Sequence, residues 1–192
     1  MIATGSAKPL DYGWWLCSRA SGIVALVLIS GSVILGLAMA GKAPQRPGIK
    51  RVLAARHEQL ALAGLISIAV HGITLLGDPW LHPGLAGVAV PFAMSYRPAF
   101  TGLGILAGYL AALLGLSFYV RRHIGAALWR RLHRFTVLVY ALAVVHVIGA
   151  GTDASEGWFR IGLATSAVVV VVLLALRYAA PSRARRRRTR SA

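Results

Sequence analysis

Acidic residues and cysteine are what this chain has least of: five Asp and Glu stand against 21 Lys and Arg in 192 residues, and Cys17 is the single cysteine. One cysteine excludes an internal disulfide and any cysteine-rich zinc or iron–sulfur site, and no Cys-x-x-Cys-His motif is present to attach a haem covalently. There is no Gly-rich dinucleotide fingerprint, so neither an FAD nor an NAD(P) site is expected in this chain. Glu58 is the only carboxylate close to a histidine within an apolar stretch. A proton-relay or transport protein, the reading from another class, would need more of them. The stretch before Trp14 lacks a basic region leading into a short apolar run and a cleavage site, so the first span is expected to be a retained reverse anchor. Neither a convincing internal repeat nor a second soluble domain is visible.

What the chain has in abundance is apolar length. With 57% hydrophobic and 14% charged residues and a mean hydropathy of +0.68, it belongs with integral membrane proteins. Five stretches are long enough to span: Trp15 to Ala40, Val52 to Leu76, Phe100 to Val120, Leu132 to Ala150 and Phe159 to Tyr178. An all-α membrane bundle of about five transmembrane helices follows, because lipid offers no partner to an open strand edge. Lys42, Arg46, Lys50, Arg51, Arg56, Arg121, Arg122, Arg130, Arg131, Arg134, Arg177 and six tail arginines make 17 of the 21 basic residues, all on alternate segments. The positive-inside rule therefore predicts a cytoplasmic C-terminus and, with five spans, an N-terminus outside.

Four histidines lie inside these spans. His57 and His71 are 14 residues apart, His133 and His146 are 13 apart. An ionisable side chain in a span is costly and points to function, and imidazole is a standard axial ligand of haem iron. Each pair is separated by roughly 20 Å along its helix, which fits within a hydrocarbon core of about 30 Å. With the second and fourth spans parallel, His57 is level with His133 near the inner face and His71 with His146 near the outer face. Two stacked haems, each held by one cross-helix pair, use all four. The alternative is a set of core histidines satisfied by hydrogen bonds between helices. Geometry sets a condition: 14 residues return to within about 40° on an ideal helix, but 13 leave about 140°, so the fourth span must be overwound, bent or tilted.

Haem propionates suit the fork of arginine. Arg56 and Arg134, adjacent to the inner histidines, are candidates there, and Arg19 is the outer candidate; interfacial snorkelling is the alternative. Gly64, midway between His57 and His71, and Gly72 would admit a porphyrin edge or a close helix contact equally well. His82 and His123 have no depth-matched partner and read as structural or solvent-facing, with a place near an outer acceptor reserved for His82. The tryptophans read as interfacial anchors. The tail from Arg183 to Arg190 follows a span directly, so it reads as a topology signal that binds anionic lipid rather than nucleic acid.

The segment Trp129-Arg130-Arg131-Leu132-His133-Arg134-Phe135, followed in the same span by the second histidine, His146, resembles the ferric reductase-like transmembrane domain. That domain is shared by ferric reductases, NADPH oxidases and the membrane haem subunit of bacterial methionine sulfoxide reductase systems. The spacing of His57 and His71 is similar to that of the NADPH oxidase and ferric reductase branch. The resemblance runs from Trp14 to Tyr178, including Ser18-Arg19-Ala20-Ser21-Gly22 and Gly151-Thr152-Asp153. It implies a di-haem domain over residues 1–178, with residues 179–192 a basic cytoplasmic tail. It further implies two non-covalent b-type haems with bis-histidine ligation, carrying single electrons from a cytoplasmic donor to an outer acceptor in the cell membrane. The family commonly continues into a flavin and nicotinamide domain and commonly has six core helices. Here five are visible and no dinucleotide site is, so the expected donor is a separate flavoprotein reductase or, alternatively, membrane quinol.

Overall fold

The computed structural model describes residues 9–41 and 46–179; the arginine tail, Lys8 and Lys42 lie outside the described residues. The chain forms α1 (Pro9–Ala40), α2 (Pro47–Leu75), α3 (Gly84–Ala89), α4 (Pro98–Leu116), α5 (Arg121–Ile124), α6 (Ala126–His133), α7 (Thr136–Ala150) and α8 (Gly157–Ala179). Among the described residues there is no strand. Five segments have the length and hydropathy to cross a membrane: Tyr12–Ala40, Gly48–Leu75, Pro98–Leu116, Ala126–Ala150 and Gly157–Ala179. The protein is a multi-pass, all-helical membrane bundle.

Helices α1 and α2 form one tightly packed pair, α4 and α7 a second, and α8 leans on α1. Within each pair the partners are antiparallel, since Ser18 meets His71 while Ser32 meets His57, and Phe100 meets His146. The core between the pairs is narrow. Val33, Leu37, Tyr140 and Val170 form one buried cluster and Ala111, Leu114 and Val139 another. Large apolar side chains face outward instead, among them Ile66, Leu113, Val168 and Val171, as expected where lipid replaces water as the solvent. Without a hydrophobic drive between helices, contact depends on small residues and hydrogen bonds. Gly64 is an example: a Cβ there would lie 2.7 Å from Ile29 Cδ1 of α1. Tyr140 and Ser166, with hydroxyl oxygens 2.8 Å apart, tie α7 to α8.

Two spans differ from the sequence expectation. The third ends at Leu116 rather than Val120, with the Ser117 hydroxyl donating to the Leu114 carbonyl at 2.7 Å as the chain turns. The fourth begins at Ala126 and is broken between α6 and α7 at Arg134 and Phe135. Neither proline nor glycine marks that break. Across it Arg134, Phe135, Val137 and Leu138 donate their amides to residues three back, Arg131, Leu132, Arg134 and Phe135. This is the tighter 3₁₀ pattern. At about 120° per residue in place of 100°, each residue in that pattern adds about 20° of rotation. Overwinding at Arg134 and Phe135 therefore turns His133 and His146 toward a common direction, as their spacing requires.

The connector between α2 and α4 is the most irregular part of the described chain. His82, Phe92 and Arg97 all have positive φ. Buried Asp78 holds its start by accepting from the Trp80 and Leu81 amides at 2.9 and 3.0 Å, and Arg97 anchors its end on the Gly149 carbonyl.

Candidate functional site

His57 on α2 and His133 at the end of α6 face each other with ring centroids 6.0 Å apart and planes at 84°. A metal sits about 2 Å from an imidazole nitrogen and the ring centre lies roughly 1.1 Å behind it, so two imidazoles on opposite sides of one metal would have centroids about 6.2 Å apart. The observed separation is compatible with that spacing. His71 lies further along α2 from His57, and its electrostatic partner among the histidines is His146, as His57 is for His133. The structure thus brings the His57 and His133 rings together, and His71 lies within electrostatic range of His146.

Three of the four rings are tied by Nδ1 to a main-chain carbonyl of a neighbouring helix. His57 donates to Ser32 O at 2.8 Å, His71 to Ser18 O at 2.8 Å and His146 to Phe100 O at 2.9 Å. A carbonyl can only accept, so each Nδ1 carries a proton, and in the neutral ring each Nε2 then keeps its lone pair. That is the tautomer a metal ligand needs, fixed by the hydrogen bond on the other ring nitrogen. His133 differs. Its Nδ1 is buried without a hydrogen bond of good geometry, although the Leu114 carbonyl acts on it, and its ring is stacked on Trp129 with centroids 4.8 Å apart.

Small residues make these seats. A Cβ at Gly22 would lie 3.0 Å from His71 Nδ1, one at Gly36 3.2 Å from His57 Cε1, and one at Gly104 2.6 Å from His146 Cε1. Compared with protein-family models, curated proteins and solved structures, the chain shows no match.

The His57–His133 pair opens into a cavity of about 280 Å³ whose wall includes Trp129, Arg130, Arg134 and Arg177. The indole Nε1 of Trp129 is buried there with no partner among the described residues. Such an orphaned donor asks for an acceptor, and the three arginines in the same cavity wall favour an anionic one. Arg134 is in the cavity wall. Arg56 is not, and bonds Gln59 at 3.0 Å on the exposed side. Arg130 and Arg177 are additions that adjacency to a histidine could not reveal.

At the other end Arg19 is gripped by Asp153 through both carboxylate oxygens, with Nε to Oδ2 at 2.8 Å, and its guanidinium lies 5.0 Å from the Trp15 ring centre. Asp153 is buried. Gly72 packs on Val88, 3.4 Å from a built Cβ, so both candidate glycines on α2 serve contacts between segments. His82 and His123 are exposed. Among the described residues no three His, Cys, Asp or Glu side chains converge.

Proposed function

We propose that the chain is a transmembrane electron-transfer cytochrome of the cell membrane, resembling ferric reductase-like domains. In this reading it holds two b-type haems, one between His57 and His133 and one between His71 and His146. The observation that carries the reading is the cross-helix His57–His133 couple, its rings 6.0 Å apart, together with three histidine Nδ1 atoms committed to carbonyls. When bound, the haems supply one-electron carriers at two depths, which matters because tunnelling decays exponentially with distance and one hop across a bilayer is too slow.

The chain's own part is to ligate, to space and to exclude water. His57 with His133, and His71 with His146, would hold the iron through neutral imidazoles. Apolar walls from α1, α2, α4 and α7 keep the surroundings dry, which raises the energetic weight of every nearby charge. Arg134, with Arg130, Arg177 and the Trp129 indole, offers the donors for propionates at the His57 end. Arg19 is the corresponding candidate at the His71 end, where a propionate would share it with Asp153. Basic segments favour a cytoplasmic His57 end, so electrons run from a cytoplasmic donor, a separate flavoprotein reductase or quinol, toward an acceptor outside.

Alanine replacement of the histidines tests the pairing. His57→Ala and His133→Ala are expected to abolish the low-spin spectrum of the same haem, and the double variant to match either single one, because ligands of one iron act as a unit. A common haem perturbed by His57→Ala and His146→Ala would overturn the assignment.

A further inference from the structure

Helix α1 carries a short motif twice. Ser18 and Gly22 recur as Ser32 and Gly36, 14 residues on, the same interval that separates His57 from His71 on the antiparallel α2. Each unit seats one histidine. The glycine leaves room for the ring, and the serine presents two oxygens to one nitrogen. Around His71 Nδ1 these are Ser18 O at 2.8 Å and Ser18 Oγ at 3.2 Å. Around His57 Nδ1 they are Ser32 O at 2.8 Å and Ser32 Oγ at 3.0 Å. The Ser32 hydroxyl in turn donates to the His57 carbonyl at 3.2 Å, closing a reciprocal clasp. Both serines are buried. On the other side, His146 has the Phe100 carbonyl in place of such a clasp.

We infer that Ser18 and Ser32 are positioning residues, one per site, that set the donor strength of His71 and His57 and so tune each haem separately. This rests on the proposed di-haem reading. The carbonyl fixes the tautomer; the hydroxyl oxygen is a second acceptor on the same N–H. Two acceptors draw the proton away from the ring, raise the basicity of Nε2 and favour the more highly charged, oxidised iron. Removing the hydroxyl while keeping the carbonyl lowers that preference.

The test uses the full-length protein in lipid nanodiscs, with an optical redox titration that resolves the two haems. Ser32→Ala is expected to move the oxidised-to-reduced ratio of one haem roughly three- to tenfold toward the reduced form, the range of one hydrogen bond, and Ser18→Ala to move the other; tenfold corresponds to about 59 mV for a one-electron couple. Ser→Cys at each position, similar in size but a weaker acceptor, is expected to shift the same haem by less. Unchanged potentials in both alanine variants, or both haems moving together in each, would refute the tuning role while leaving the di-haem reading standing. A wild-type protein that takes up no haem would refute the reading itself, and this inference with it.

Discussion

Replacing Gly104 by alanine separates a ligand seat from an ordinary helix contact. A Cβ at Gly104 would stand 2.6 Å from His146 Cε1, far inside the 3.4 Å at which ordinary contact begins. At Gly22 the nearest atom is His71 Nδ1 at 3.0 Å, a smaller shortfall, and at Gly36 it is His57 Cε1 at 3.2 Å, the smallest of the three. Metal–ligand distances tolerate errors of about 0.2 Å, so the first displacement breaks a ligand bond and the last can be absorbed. His146 cannot give way cheaply, because its Nδ1 is fixed to Phe100 O. Overpacking of this kind costs about 1–3 kcal/mol, while Gly→Ala in a helix returns up to about 1 kcal/mol of propensity. The net effect is therefore clearly destabilising at Gly104 and close to zero at Gly36. Haem content and the low-spin absorption spectrum of the purified variants measure it. Gly104→Ala is expected to lose or convert to high spin the haem that His71→Ala also affects, Gly22→Ala to weaken that haem, and Gly36→Ala to leave both in place. A Gly104→Ala protein with two unaltered low-spin haems would refute the placement of His146 as a ligand.

Asp153→Asn removes the negative charge and one of the two acceptor oxygens that meet the Arg19 fork. Buried pairs lose about 3–5 kcal/mol in this way and exposed ones at most about 1 kcal/mol. With the Asp153 side chain 5% and that of Arg19 36% exposed, a loss of about 2 kcal/mol is expected between those limits, read as a lower unfolding midpoint in detergent; an unchanged midpoint would show that the pair holds nothing together. Reporter fusions test the orientation. The segment from Arg121 to Arg131 and the C-terminus should report inside, and Asp78 to Arg97 and Asp153 outside; a C-terminal reporter active only outside would reverse the direction of electron flow.

The helices and the four histidines were legible in the sequence because both signals are local. A run of some 20 apolar residues has few other uses, and an imidazole placed among them is expensive enough to mark itself. The break in the fourth span was not legible: Arg134 and Phe135 are neither helix breakers nor a turn pair, and only the demand that His133 and His146 face one partner helix hinted at overwinding there. The seats on α1 were missed for a different reason. Serine and glycine are common in membrane helices as packing residues, so Ser18, Gly22, Ser32 and Gly36 look generic one at a time. Their signal was the interval, which they share with His57 and His71. This makes a short internal repeat in a chain that reads as having none. Arg19 in the first span and Asp153 in the connector after the fourth bond directly, and no periodicity connects positions so far apart in the chain. Adjacency to a histidine did not separate Arg56, which bonds Gln59 on the exposed side, from Arg134, which lines the cavity.

Whether one chain holds two haems through four histidines is measured most directly by the amount of haem per chain. The full-length protein, purified in detergent after expression with excess haem, is quantified by its pyridine haemochrome and by protein mass. The expected result is two b-type haems per chain, extractable without breaking a covalent bond, and a reduced-minus-oxidised spectrum of low-spin, six-coordinate iron. A colourless protein, or one that saturates at a single haem, would contradict the di-haem assignment.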